Sequence, residues 1–137
     1  REAIARRDIS EEQLEATRKA PTNQGYTDFL IRVASSGEFA EAVSALLPCM
    51  WVYTDLGQHL YKQGLPENHH YAQWITNYNS AEFAELTEWT KDLLDEYAAN
   101  APAAMQKRID DAFVICTQYE LAFWEMAWTR QRWVDER

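Results

Sequence analysis

The sequence predicts an all-α fold, on three observations. Only four Gly and four Pro occur in 137 residues, too few for the tight turns of an all-β chain. Apolar residues recur at three- and four-residue steps through several long segments. The remaining punctuation falls where helices would start or stop. The length suits one domain, residues 1–137, large enough to bury a core without disulfides or a structural metal.

Each element has its own signal. Residues 1–7 read as the tail of a helix, with Ile4 apolar among Arg and Glu. Ser10 opens Ser-Glu-Glu-Gln, a capping-box pattern that predicts a short helix with Leu14 inward. Pro21 and Gly25 bracket a turn. A helix follows over about 26–35, with Phe29, Leu30 and Val33 on one face, and Gly37 ends it. The next helix, about 38–63, is the most apolar. Its stripe is Phe39, Val43, Leu46, Met50, Tyr53, Gly57 and Tyr61. Leu47, Trp51 and Leu60 widen the stripe, so burial on most sides is expected. Pro48 removes one backbone donor, which predicts a kink beside Cys49.

Gly64 and Pro66 close that helix, and a short one spans about 69–78. Ser80 caps the next, with Phe83, Leu86, Trp89, Leu93 and Leu94 inward. Pro102 suits the first turn of a last long helix, about 102–130. There Ile109, Phe113, Cys116, Glu120, Phe123 and Ala127 alternate by four and three. About six helices in a bundle-like packing are expected.

The net charge of −9 disfavours a nucleic-acid partner, because an acidic surface repels phosphates. No basic amphipathic stretch points to a membrane surface, and no apolar run reaches the length of a span. Two cysteines without framework spacing fit a reducing compartment, so a cytoplasmic location is expected.

Glu120 breaks the apolar stripe of the last helix. A carboxyl there loses hydration and needs a partner or a proton. It is either a structural carboxylate satisfied by a neighbour, or a general acid made by desolvation. Cys49 follows Pro48 and precedes Tyr53 by one turn. On spacing alone it reads as a small buried hydrophobe, as most free cysteines do. Cys116 reads the same way. Seven tyrosines mostly suggest packing, but a few converging hydroxyls beside Glu120 and Cys49 would make a polar pocket in an aromatic box. Metal chemistry is weak. Glu67 and His70 form one Glu-x-x-His in a loop context, where di-iron bundles need two on helices. His59, His69 and His70 read as solvated. No cofactor is expected.

Four stretches together resemble the TenA family, thiaminase II, an aminopyrimidine aminohydrolase. They are Tyr26-Thr-Asp-Phe-Leu, Leu47-Pro48-Cys49 with Tyr53, Tyr71-x-x-Trp74-Ile75-x-x-Tyr78, and Tyr119-Glu120-x-x-Phe123-Trp124-Glu-Met-Ala. Their order and spacing over residues 26–128 carry the resemblance. It implies a haem-oxygenase-like helical bundle without haem, usually a homotetramer. It implies hydrolysis of an aminomethyl pyrimidine to a hydroxymethyl pyrimidine and ammonia, and cleavage of thiamin. Position by position, Cys49 matches the nucleophile, Glu120 the acid/base, and Tyr53 a tyrosine near the thiol. Tyr26, Tyr78 and Phe123 match pocket residues.

The resemblance also implies further helices before the matched segment, which lend the pocket an aspartate and an aromatic. Nothing in residues 1–25 matches them, and Asp8 lies too close to Tyr26 to be that aspartate. Three alternatives follow: a C-terminal portion, a chain whose missing helices are another chain with which it associates, or a degenerate relative; little activity is expected of residues 1–137 alone. Two other classes stay open: a non-catalytic pyrimidine-binding module, and a di-iron oxidase of the same fold.

Overall fold

Six α-helices and a closing 3-10 turn, Val134–Glu136, follow one another in a computed structural model that describes residues 10–136. No strand occurs among the described residues. The helix tail read over residues 1–7, and Asp8, lie outside them.

Helix α1 (Glu11–Glu15) starts on the expected capping box. Gln13 N donates to Ser10 Oγ at 3.1 Å, and Ser10 N donates to Gln13 Oε1 at 2.8 Å. Leu14, expected inward, is 45% exposed, and α1 buries no residue. Five residues make barely more than one turn, so the cap rather than packing defines this helix.

Helix α2 (Pro21–Ser36) begins five residues before the expected start at Tyr26. Pro21 and Gly25 bracket no turn. Proline at the first helical position lacks only an N–H that has no intrahelical acceptor, so it starts the helix. Tyr26 and Val33 face the core, and Gly37 ends the helix as expected.

Helix α3 (Phe39–Gln63) is the central element and packs against α2 and against the three helices that follow it. Its 25 residues run roughly 38 Å. Pro48 lies inside it and is fully buried. One turn earlier, Ser44 Oγ donates to the Ile109 carbonyl at 2.7 Å, bracing the proline turn from the last helix. Burial on most sides is not what the structure shows. Phe39, Leu46, Trp51 and Tyr61 are exposed, because small residues, Ala40, Ala45 and Gly57, make much of the close packing.

Helix α4 (His69–Tyr78) has the expected bounds, and Asn68 Oδ1 accepts from the N–H groups of His70 and Tyr71. Helix α5 (Ala81–Ala98) starts at Ser80, whose Oγ accepts from Phe83 N at 3.2 Å. Its inward face differs from the expected one. Leu94 is buried, but Leu86 is exposed and Trp89 is 59% exposed. Thr87 and Thr90 are buried in their place. Thr87 Oγ1 meets Thr54 Oγ1 of α3 at 2.8 Å, and Thr90 donates to Leu86 O. Threonine is short enough for close helix approach, and its hydroxyl is satisfied by its own helix.

Helix α6 (Ala103–Thr129) follows Pro102, which stands one position outside it as the cap. It ends at Arg130 in the left-handed region, φ 51°. Two apolar clusters hold the bundle. Tyr26, Val33, Ala45, Ala112 and Cys116 join α2, α3 and α6. Ala40, Val43, Leu47, Leu94 and Ile109 join α3, α5 and α6. Between them Glu41, nearly buried, is paired with Arg108.

Candidate functional site

Glu120 is 4% exposed on α6, so the apolar stripe correctly places its carboxyl inside. Tyr26 Oη of α2 donates to Glu120 Oε1 at 2.6 Å. A carboxylate has room for several more donors. Tyr26 is itself fixed by its ring, stacked on Tyr119 at 5.1 Å with planes 3° apart. The phenol of Tyr26 is pushed up from its ordinary value, by burial first and then by the hydrogen bond and charge of Glu120. It therefore keeps its proton and acts as a donor.

Cys49 and Cys116 part company. Cys116 is 0% exposed and belongs to the core, as a small hydrophobe would. Cys49 is exposed, which contradicts the buried reading that spacing favoured. Although the residue reaches solvent, the packing around it withdraws part of the water that would stabilise a thiolate. The thiol is pushed up to about 11, by that desolvation first, then by the charge of Glu120 and a hydrogen bond to it. Cys116 is pushed up to about 12, again by burial first and then by Glu120.

One turn after Cys49, Tyr53 is buried and its ring anchors an aromatic wall. Ring centroids lie 5.0 Å away at Tyr78, 5.9 Å at Trp74 and 6.1 Å at Trp124. Tyr78 in turn meets Phe83 edge-on at 5.0 Å. The Tyr53 phenol is raised by burial, then by Glu120 and Cys49, and Tyr78 is raised by burial, then by Cys49 and Glu120. These groups share one electrostatic environment centred on the thiol and the carboxyl.

Five of the six residues marked in the sequence thus come together: Tyr26, Cys49, Tyr53, Tyr78 and Glu120. Phe123 is half-buried one turn beyond Glu120 and stacks on no ring among the described residues. Trp74 and Trp124 complete the wall and were not singled out as wall residues. Trp124 stands four residues after Glu120, so helical spacing would have found it. An apolar groove of 630 Å³ adjoins the wall and shares Trp74 and Trp124 with it. Among the described residues no three His, Cys, Asp or Glu side chains gather to hold a metal ion. Asn68 is occupied as a helix cap, and His59 touches Gln63 at 2.7 Å. No described helix is long and apolar enough to cross a membrane.

A buried, tyrosine-bonded carboxyl on α6, an exposed thiol on α3 and a wall of rings thus make up the candidate site of this helical bundle. The chain belongs to the TENA/THI-4/PQQC family, whose model matches residues 4–130. It is 34% identical over 128 residues to an aminopyrimidine aminohydrolase of Halalkalibacterium halodurans, covering 91% of this chain and 56% of that protein. It is 36% identical over 128 residues to the aminopyrimidine aminohydrolase of Bacillus subtilis, covering 93% and 54%. The solved TenA homologue from P. horikoshii OT3 superposes with a TM-score of 0.80 at 28% identity, over 93% of this chain and 59% of that one. The fold is the helical, haem-oxygenase-like bundle. The chain spans about half the length of the curated relatives it matches.

Proposed function

We propose that the protein hydrolyses an aminomethyl pyrimidine of thiamin salvage to the hydroxymethyl pyrimidine and ammonia. Cys49 is the nucleophile and Glu120 the acid/base. The observation that carries this reading is the Glu120 carboxyl, buried and held by the Tyr26 phenol at 2.6 Å, whose charge acts on the exposed Cys49 thiol.

The chemistry follows from the protonation states. With its thiol near 11, Cys49 is protonated at neutral pH. Glu120 takes that proton and passes it to a ring nitrogen of the pyrimidine, which makes the ring electrophilic. The thiolate forms a C–S bond to a ring carbon. The dearomatised ring expels the amine from its exocyclic carbon, and the amine leaves as ammonia with a proton taken up from solvent. Water adds to that carbon and gives up a proton to solvent, the C–S bond breaks to restore the aromatic ring, and the ring-nitrogen proton returns through Glu120 to the thiolate. The net change is one water consumed and one ammonia released. Tyr53, Tyr78, Trp74 and Trp124 offer flat surfaces to a flat heterocycle.

The same reading includes thiamin as a second substrate, a cytoplasmic setting and a homo-oligomeric form. Support for association is the exposure of Leu121 and Trp128, 68% and 86%, on α6. Sedimentation velocity checks it. A second reading, a pyrimidine-binding module without turnover, is favoured by one observation: a thiol pushed up to about 11 is a weak nucleophile until a base acts on it.

An ammonia-release assay with the aminomethyl pyrimidine separates the two. Turnover abolished in Cys49→Ser supports the hydrolase. Saturable ligand binding with no ammonia, both with and without an N-terminal helical segment supplied in trans, supports the module. Undiminished turnover in Cys49→Ser sinks the covalent route.

A further inference from the structure

Gly57 continues the line of Cys49 and Tyr53 along one face of α3, at steps of four residues. It is buried in the middle of a helix, where glycine is locally less favourable than alanine. Its surroundings supply a reason. A methyl group on Gly57 would lie 2.6 Å from Tyr78 Cβ, 2.7 Å from the Tyr78 carbonyl carbon and 2.9 Å from its oxygen. Non-bonded carbons pack at about 3.5–4.0 Å. Two of the three atoms are backbone, so no side-chain rotation of Tyr78 relieves the overlap. The last residue of α4 rests on the bare α-carbon of α3.

Tyr78 is also the ring that links the wall. It lies 5.0 Å from Tyr53, 4.7 Å from Trp74 and 5.0 Å from Phe83. We propose that Gly57 is a positioning residue for the site: its missing side chain seats the end of α4 so that Tyr78 closes against Tyr53. Residue 57 thereby sets the space left for a flat ring beside Cys49. The role rests on the pyrimidine-binding reading above. Any side chain at 57 shifts Tyr78 outward by about 1 Å, the deficit against normal packing. A displacement of that size costs an enzyme on the order of a hundredfold in rate.

Gly37 provides the control. A methyl there would be equally crowded, 2.5 Å from Val33 O and 3.0 Å from Glu41 Oε2, but it touches no ring of the wall. Gly57→Ala and Gly37→Ala are compared by circular dichroism, by NMR and by kinetics. Both are made on an Arg130→Gly background, chosen because glycine at the left-handed cap of α6 is expected to add stability. Both should lose heat stability and retain their helices. Only Gly57→Ala should markedly weaken the NMR cross-peaks between the Tyr53 and Tyr78 rings. Only it should raise KM for the aminomethyl pyrimidine and lower kcat, with kcat/KM down by on the order of a hundredfold. Where turnover is absent, the ligand Kd read from tryptophan fluorescence replaces KM.

The proposal is overturned if Gly57→Ala keeps those cross-peaks at full intensity, if it leaves KM or Kd unchanged, or if Gly37→Ala raises them equally. Failure of the unmutated site to take any pyrimidine is a different result. It removes the functional reading and the role in it, while the cross-peaks still decide whether Gly57 seats Tyr78.

Discussion

Tyr26 Oη donates to Glu120 Oε1 at 2.6 Å, joining residues 94 positions apart across α2 and α6. The bond is buried, short and made to a carboxyl, the combination in which a hydrogen bond counts most.

Removing the donor tests the bond. Tyr26→Phe leaves the ring on Tyr119 but strips Glu120 Oε1 of its partner. The expected cost is about 1.5–3 kcal/mol of folding stability. Urea unfolding measures it at unchanged helix content. A loss under about 0.5 kcal/mol would mean that water or another group replaces the phenol.

Removing the proton carrier tests the chemistry. Glu120→Gln keeps size and hydrogen bonding but cannot cycle a proton. Turnover of the aminomethyl pyrimidine should fall by about 10²–10⁴-fold, with ligand affinity nearly kept. Retained turnover would leave Glu120 as a structural carboxylate.

The thiols make a pH prediction with a definite sign. Both are raised above the ordinary value of 9.0, Cys49 to about 11 and Cys116 to about 12. Folding therefore holds protons that the unfolded chain releases. The stability contributed is fully present below pH 9.0 and is lost as pH rises through 11 to 12. Iodoacetamide should label Cys49 well before the fully buried Cys116, with a rate still climbing beyond pH 9.0. Glu120→Gln removes the negative charge that holds the Cys49 proton, so its labelling curve should move to lower pH. An unmoved curve would show that burial alone raises the thiol.

The hydroxyl pair between α3 and α5 is a smaller test. Thr87→Val deletes an Oγ1 that meets Thr54 Oγ1 at 2.8 Å and conserves volume. A loss of about 0.5–1.5 kcal/mol is expected. Thr54→Val on top of it should cost less than it does alone, since the shared contact is already gone. Strict additivity in thermal melts would argue that each hydroxyl serves only its own helix.

Arg130 closes α6 at φ 51°, a conformation that costs a side chain roughly 1 kcal/mol. Arg130→Gly should raise stability by up to about 1 kcal/mol without moving the site. A drop in the melting temperature would show that the Arg130 side chain contributes more than its backbone strain takes away.

What the sequence determined by itself is local. Ser10, Asn68, Ser80, Gly37 and Pro102 mark helix ends because caps and breakers act within a few residues. Asn68 was legible only as the residue before a predicted start. Glu120 was legible as buried because the helical repeat repeats regardless of what packs on it. The motif stretches also named Tyr26, Cys49, Tyr53 and Tyr78 before any geometry was known. Phe123 was named with them and stands outside the ring contacts.

Tertiary structure alone decided the rest. Which face of α5 turns inward depended on how closely two helices approach, and Thr87 and Thr90 allowed a contact that Leu86 and Trp89 would have held apart. The exposure of Cys49 against the burial of Cys116 depended on which sides of α3 and α6 other helices cover. Tyr26 found Glu120, and Tyr78 found Tyr53 over a bare glycine, through distances set by the whole bundle. A one-dimensional pattern states which residues share a face. It holds no information on what that face meets, because that is settled by packing between segments far apart in the chain.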